Sequence, residues 1–234
     1  MRIDKYVSDA IICTRSEADR LIKSGKVSVG DKTVKKPDTK VTEKSEVYLN
    51  GERIIYSEFI YIMMNKPQGV ISATDDPKNI EKTVLSLLTE NYLTKGLFPA
   101  GRLDKDTVGL LVLTNDGKTA HRLLSPKSHV EKTYYVECDG EFIPEDIETC
   151  KKGVILDGEL TKPCILTIDP ENKNCGTMVL TEGKYHEIKR ICNHLGKNVT
   201  FLERVTFGNL SLDRSLERGA WRHLTPDEVE LLTK

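Results

Sequence analysis

The sequence predicts an α+β protein built from two domains. Its 234 residues are enough for a small domain of about 60 residues followed by a larger one. Hydrophobic residues make up 38% of the chain and charged residues 30%, a balance typical of folded globular proteins. Beyond residue 60 the strand-like segments are short and are separated by loops rather than by regular helices. This arrangement favours α+β over an alternating, doubly wound sheet.

Composition excludes several classes of protein. There is no run of about 18 apolar residues that would predict a membrane helix. Residues 1–5 lack the apolar core of a secretory signal, so we expect a cytoplasmic protein with no membrane association. The six cysteines contain no C-x-x-C pair, so neither a zinc site nor a disulfide framework is predicted. A net charge of -1 does not by itself indicate a polyanionic partner.

A cluster of basic residues lies near the N-terminus. Between residues 15 and 40 there are eight lysines and arginines against four acidic residues, a local excess of 4 positive charges. The segment Thr14-Arg15-Ser16-Glu17 is a capping box that predicts the start of a helix, and Gly25 predicts its end. The segment 26–34 alternates apolar and polar residues around the turn Gly30-Asp31, which predicts a hairpin. Helix and hairpin together are expected to carry a basic surface.

Four segments of this region resemble the S4 RNA-binding module of ribosomal protein S4 and of several RNA-modifying enzymes: Arg2–Tyr6, Thr14–Ala18, Leu21–Val27 and Val29–Lys32. The resemblance implies a compact α/β domain, expected at residues 1–58, that binds structured RNA through its shape and its phosphates. The residues expected to make these contacts are basic: Arg2, Lys5, Arg15, Arg20, Lys23 and Lys26.

The second domain is expected at residues 59–234, and its most informative part is the stretch 101–117. Leu110–Leu113 is a continuous apolar run that predicts a buried strand. The loop before this strand carries two acids, Asp104 and Asp106. By spacing alone, each is more often a turn or cap residue than a catalyst, and the pattern does not choose between them.

The stretch from Gly101 to Gly117 resembles the signature of the pseudouridine synthases. The resemblance places the catalytic aspartate at Asp104 and a supporting acid at Asp106. It also implies a domain with a mixed, mostly antiparallel sheet flanked by helices. Similar segments extend over nearly the whole chain: Asn65–Val70, Glu131–Tyr134, Glu182–Arg190 and Gly219–Leu224. The reaction of this family rejoins uracil to the ribose through C5 instead of N1 without a redox step, so no cofactor and no metal are expected.

Lys189 is expected to pair with the catalytic aspartate. In the helix predicted near His186, Lys189 flanks the apolar face and Arg190 points nearly opposite, so only Lys189 can reach a cleft. The predicted apolar face consists of Ile188, Ile191, Cys192 and Leu195. The resemblance places a basic partner of the catalytic aspartate at the same position, where many relatives carry arginine instead of lysine.

A stacked uridine cannot reach a protein pocket, so the target base is expected to flip out of the RNA. Tyr134 and Tyr135 lie in a strand-like segment and face opposite sides, and the resemblance selects Tyr134 to stack on the uracil. Arg102 is expected to contact the flipped nucleotide's phosphate or to fill its place. Leu103 and Ile188 complete the expected uridine-binding set. His186 and His121 lack metal-ligand spacing and are expected to be structural or to contact RNA.

The expected substrate rests on resemblance alone. The chain is most similar to the enzymes that modify a single uridine of 16S ribosomal RNA, of the uridine-516 type. A monomer acting on ribosomal RNA or on a pre-ribosomal particle is therefore expected. Two alternatives stay open, a 23S rRNA enzyme of the same family and a non-catalytic S4-type RNA-binding or ribosome-assembly protein. The joint presence of Asp104, Tyr134 and Lys189 favours an enzyme.

Overall fold

The computed structural model describes residues 1–78, 80–93, 95–125 and 127–233. The chain divides into two compact units. The first unit combines Met1–Ile60 with Leu88–Leu97, and the second combines Tyr61–Leu87 with the chain from Phe98 onward. The domain division predicted at residue 58 does not include this return of Leu88–Leu97 to the first unit. Within the described residues, no helix is long and apolar enough to cross a membrane.

The first unit packs two helices against a four-stranded antiparallel sheet. The strand Lys32–Val34 lies at one edge of this sheet and is followed in order by Val27–Val29, Val47–Leu49 and Glu52–Ile54. The capping box predicted at the start of the second helix is confirmed, because the Thr14 hydroxyl accepts from Glu17 N and the Glu17 carboxylate accepts from Thr14 N. Gly25 ends that helix with a φ of 75°. The elements are α1 Ile3–Ala10, α2 Arg15–Lys23, β1 Val27–Val29, β2 Lys32–Val34, β3 Val47–Leu49, β4 Glu52–Ile54 and, in the returning segment, α3 Glu90–Leu93.

The second unit is built on a nine-stranded mixed sheet, which confirms the α+β class. Its strands are β5 Tyr61–Lys66, β6 Phe98–Pro99, β7 Val108–Thr114, β8 Lys132–Cys138, β11 Ile165–Ile168, β12 Cys175–Leu180, β13 Val199–Phe207, β14 Leu210–Ser211 and β15 Trp221–His223. The order is β11-β12-β8-β13-β7-β5-β15, with β6 paired to β7 and β14 paired to β13. Among the described strands β13 and β7 run parallel and the other pairs are antiparallel, as predicted. Two further strands, β9 Ile155–Leu156 and β10 Glu159–Leu160, form a separate hairpin.

Helices cover two regions of this sheet. The helices of this unit are α4 Gly117–Leu124, α5 Pro144–Lys152, α6 Glu187–His194 and α7 Pro226–Thr233, with a 3-10 turn at Val84–Leu87. One hydrophobic core joins α5 and α6 to β8 and β12, and a second joins α4 and α7 to β5 and β7. The buried strand predicted at Leu110–Leu113 is confirmed, because all seven residues of β7 are buried.

A glycine allows β13 to lie close to the start of β7. A Cβ at Gly109 would collide with the carbonyl oxygen of Arg204, and the φ of Gly109 is 101°, a conformation that side chains disfavour. The close approach sets the parallel pairing of Glu203 with Val108. It brings β13 next to the loop that precedes β7.

Candidate active site

A buried lysine holds the loop that precedes β7. Lys66, the last residue of β5, is fully buried, and its Nζ donates hydrogen bonds to the carbonyl oxygens of Asp104 and Thr107, both at 2.9 Å. Burial lowers the pKa of Lys66 to about 8, although the nearby charges of Asp106 and Asp104 act in the opposite direction. The lysine therefore fixes the loop backbone at Asp104 and just after Asp106.

Ser72 holds the same loop from a second direction. Its Oγ accepts a hydrogen bond from Leu103 N at 3.0 Å and donates one to Leu103 O at 2.9 Å. The amide of Gly69 also donates to Lys105 O at 2.8 Å. Because both neighbours of Asp104 are tied to the segment 66–72, the Asp104 side chain leaves the loop in a defined direction.

Asp104 and Asp106 share one cation. Lys189 Nζ lies 2.9 Å from Asp104 Oδ2 and 2.5 Å from Asp106 Oδ1. Burial alone would lower the pKa of Lys189, but its bonds to Asp106 and Asp104 outweigh burial and raise it. The same contact lowers the pKa of Asp106 against the opposing effect of its burial. The ammonium thus favours the ionised form of Asp106.

His186 is a second neighbour of Asp104. Its Nε2 lies 3.5 Å from Asp104 Oδ1, and its backbone has a φ of 50°. Its ring stacks on the ring of Tyr185, with centroids 3.8 Å apart. Sequence reasoning left His186 outside the catalytic set, whereas the structure places it against the carboxylate.

The apolar face predicted for the helix α6 is confirmed for Ile188, Ile191 and Cys192, which are buried, and Leu195 follows the helix and is partly buried. Lys189 lies on the flank of that face and reaches Asp104. Arg190 points elsewhere, and its Nη2 lies 2.6 Å from Asp157 Oδ1. The two adjacent basic residues therefore have separate partners.

Tyr134 and Tyr135 in β8 lie on opposite faces of the sheet. Tyr134 lines the cavities that contain Asp104. Tyr135 packs against Phe201 at a centroid distance of 6.2 Å and donates its hydroxyl hydrogen bond to Glu137 at 3.0 Å. Of these two tyrosines, Tyr134 therefore lines the cavities and Tyr135 does not.

Asp104 lies in the wall of two cavities, a small one of about 90 Å³ and a larger cleft of about 700 Å³. The larger volume is within the range of about 300–1,000 Å³ common for ligand sites. Leu103 lines both cavities, and Ile188 lines the small one. Arg102 is exposed at both, and its guanidinium forms no ion pair with the described residues. The structure therefore brings the predicted catalytic and uridine-binding residues of the second unit together.

The six basic residues predicted to bind RNA are exposed in the first unit: Arg2, Lys5, Arg15, Arg20, Lys23 and Lys26. Arg2 is paired with Asp4 at 2.7 Å, and Lys23 lies 4.0 Å from Asp19. Within the described ranges the other four form no ion pair, so their charges are available to a polyanion.

Sequence reasoning missed three residues that shape the site, namely Lys66, Ser72 and Glu187. Glu187 is buried in the wall of the small cavity, and burial followed by the neighbouring Glu182 raises its pKa to about 7. The sequence carries a signal for Lys66, because this charged residue directly extends a strand-like segment that begins with the apolar run 60–64. Ser72 and Glu187 carry no such local signal.

Comparison with known proteins identifies two family models in this chain. A family model described as RNA pseudouridylate synthase matches residues 60–194, and an S4 domain model matches residues 1–47. An uncharacterised RNA pseudouridine synthase of Bacillus subtilis, YtzG, is 44% identical over 239 residues, which cover 100% of this chain and 99% of the relative.

Two further relatives match the full length. The ribosomal small subunit pseudouridine synthase A of Vibrio cholerae is 41% identical over 236 residues, which cover 100% of both chains. A crystal structure of a pseudouridylate synthase matches with a TM-score of 0.70 and 36% sequence identity, covering 99% of each chain.

Proposed function

This chain belongs to the RNA pseudouridylate synthase family, and from that premise we propose that it isomerises one uridine of 16S ribosomal RNA, with Asp104 as the nucleophile. The observation that carries the proposal is the contact of Asp104 with Lys189 in the wall of a cavity that Tyr134 also lines. A carboxylate held by a cation at a cavity is the arrangement that nucleophilic catalysis by aspartate requires.

The choice of 16S rRNA is supported by the full-length similarity to the Vibrio cholerae enzyme, whose name assigns it to the small ribosomal subunit. The target would be a single uridine of the uridine-516 type. We expect the protein to act as a cytoplasmic monomer on ribosomal RNA or on a pre-ribosomal particle.

The reaction explains why these residue types are needed. The bond from N1 to C1′ breaks, a bond from C5 to C1′ forms, C5 loses a proton and N1 gains one, so that no atom is gained or lost overall. A carboxylate at the cavity wall divides one difficult displacement into two easier steps. Attack on the sugar, attack on the base and elimination through a glycal all begin with the Asp104 carboxylate, which the ammonium of Lys189 holds at 2.9 Å.

The remaining residues hold the flipped nucleotide. Tyr134 supplies an aromatic face for the uracil, and Leu103 and Ile188 supply apolar contacts at the small cavity. The guanidinium of Arg102, which forms no ion pair with the described part of the chain, contacts the phosphate of the flipped nucleotide or occupies the gap it leaves. The S4 unit contributes affinity through exposed basic residues that include Arg15 and Arg20.

The experiment is to map pseudouridines chemically in 16S and 23S rRNA from cells with and without this gene. The proposal expects one 16S uridine to lose its modification in the deletion and to regain it with the wild-type gene but not with Asp104→Asn. Loss at a 23S position instead would make the protein a large-subunit enzyme. Unchanged rRNA modification would favour a non-catalytic RNA-binding protein.

A further inference from the structure

Two cations in the wall of the larger cleft, Lys132 and Arg204, are not among the residues of the proposed uridine site. Arg204 in β13 pairs directly with Tyr134 in β8, and Lys132 precedes Tyr134 by two residues in the same strand. Residues directly opposite each other, and residues two apart in a strand, face the same side of a sheet. Lys132 and Arg204 therefore share the wall of the cleft with Tyr134, and all three line it.

Arg204 is a buried cation with an unused donor. Its side chain is only 2% exposed, its Nε donates to Leu110 O at 2.8 Å, and its guanidinium lies 4.9 Å from the centroid of the Phe207 ring. Its Nη2 is buried and has no hydrogen-bond partner in the part of the chain that the structure describes. Burying a charged donor without a partner is unfavourable, so its retention beside the cleft indicates an anionic ligand whose charge offsets it.

Lys132 places a second positive charge beside the first. It is partly buried, its Nζ donates to Val130 O at 3.0 Å, and it lies 5.8 Å from the centroid of the same Phe207 ring. Burial, and then the charge of Arg204, lower the pKa of Lys132. The two cations therefore repel each other across one aromatic ring.

No carboxylate of the described residues forms an ion pair with either cation. Glu203 adjoins Arg204 in β13, but its carboxylate lies 2.9 Å from Arg214 and 2.7 Å from Arg218. Glu187 contributes an opposing charge to Lys132, but its own pKa is raised to about 7. The wall of the cleft thus retains an excess of positive charge.

We propose that Lys132 and Arg204 form a phosphate subsite that holds a phosphodiester adjoining the flipped uridine. The inference rests on the proposed function, because it requires the cleft to receive RNA. Asp104 lies in the same cleft and must reach the target nucleotide, whose sugar is flanked by a phosphodiester on each side. Phosphates are the charged groups of RNA whereas base edges are neutral, so a wall with two unneutralised cations favours a phosphate.

The two residues act at different depths. Lys132 is the more exposed and contacts a phosphate oxygen. Arg204 lies behind it and supplies positive charge to the same subsite. The position of the subsite beside Tyr134 holds the backbone while the base lies against the ring.

The first test is a salt series of 16S rRNA transcript binding with wild type, Lys132→Met, Arg204→Gln and Lys173→Met. Lys173 is an exposed lysine of the same unit that lines neither cavity, so it is the matched control. Lys132→Met is expected to weaken binding by about tenfold or more and to reduce the slope of log K against log salt by about 0.7. Lys173→Met should match wild type. Thermal unfolding shows whether Arg204→Gln is folded, and Lys132→Met decides the question if it is not.

The second test changes the RNA instead of the protein. Neutral methylphosphonate linkages are placed on each side of the target uridine in a synthetic fragment. One of them should weaken binding to wild type by about tenfold or more and should cause no further loss in Lys132→Met. Either of two results would overturn the subsite and leave the proposed isomerase activity intact. One is that, at both linkages, the loss of affinity caused by the methylphosphonate adds in full to the loss caused by Lys132→Met. The other is that Lys132→Met binds with wild-type affinity and salt slope. A wild-type protein that binds no rRNA would overturn both proposals.

Discussion

The ammonium of Lys189 lies 2.9 Å from the carboxylate of Asp104, although the two residues are far apart in the sequence and belong to different elements. Lys189 comes from the first turn of α6, and Asp104 comes from the loop before β7. The same ammonium also touches Asp106. One lysine therefore holds both acids of the loop, and Lys66 holds the loop backbone through the carbonyl oxygens of Asp104 and Thr107.

Replacing Lys189 should impair the reaction far more than replacing its neighbour. Lys189→Met removes the cation that holds the Asp104 carboxylate, and a charged hydrogen bond of this kind corresponds to roughly a tenfold to hundredfold loss in kcat. Arg190→Met removes the surface ion pair with Asp157 and a 3.5 Å hydrogen bond to Tyr185 O, neither of which involves Asp104, and should stay within about threefold of wild type. Single-turnover rates on the same transcript measure both. Equal losses would refute the assignment of Lys189 as the partner of Asp104.

The two tyrosines of β8 provide a matched pair. Tyr134→Leu should lower kcat/KM by about fivefold to a hundredfold, because stacking of a base on an aromatic ring contributes about 1–3 kcal/mol. Tyr135→Leu removes a ring from the other face of the sheet and should leave kcat/KM nearly unchanged once the variant is shown to be folded. If Tyr135→Leu proved the more damaging variant, the uracil site would have to be moved.

Glu187 should make stability depend on pH in a defined window. Its pKa is 4.5 in an exposed chain and about 7 in the folded protein, so the folded state holds the proton more tightly between these values. Stability therefore falls as pH rises from 4.5 to 7, and the full loss is present above 7. Glu187→Gln keeps the shape without the charge, so it should be more stable than wild type at pH 8 by about 1–3 kcal/mol and similar at pH 4.5. Denaturant unfolding of both proteins at pH 4.5 and pH 8 tests this. If the free energies of unfolding of Glu187→Gln and wild type differ by the same amount at both pH values, the prediction is wrong.

The basic residues of the first unit should govern affinity rather than chemistry. Replacing Arg15, Arg20 and Lys26 with glutamine removes three exposed charges that lack ion-pair partners among the described residues. Each lost phosphate contact should reduce the salt slope of binding by about 0.7 to 0.9. The rate at saturating RNA should stay near the wild-type value, because the catalytic residues are untouched. An unchanged slope would place the RNA contacts on other residues.

Local signals predicted the parts of the fold that are decided locally. The capping box at Thr14, the apolar run of β7 and the buried face of α6 each follow from residues close together in the chain. For the same reason, the different directions of Lys189 and Arg190 could be predicted from helical periodicity. The assignment of Asp104 over Asp106 came from family resemblance and not from spacing.

Contacts between distant segments could not be predicted in this way. Lys66 and Ser72 reach the loop around Asp104 from 38 and 31 residues away in the chain, and nothing near them in the sequence specifies these partners. The unusual pKa of Glu187 depends on burial and on Glu182, both of which arise from tertiary packing. The return of Leu88–Leu97 to the first unit is of the same kind, since Lys95 is bonded there to Ser8 and Asp9.

The most direct test of the central claim is tritium release from a 16S rRNA transcript labelled at C5 of uridine, with wild type and Asp104→Asn side by side. Pseudouridine formation replaces the hydrogen at C5, so each turnover releases label. Asp104→Asn removes the nucleophile with little change in shape, and its release should fall by a factor of at least about 10³ while RNA binding stays within about threefold of wild type. An Asn variant that binds the transcript and releases tritium at a rate close to wild type would contradict the assignment of Asp104.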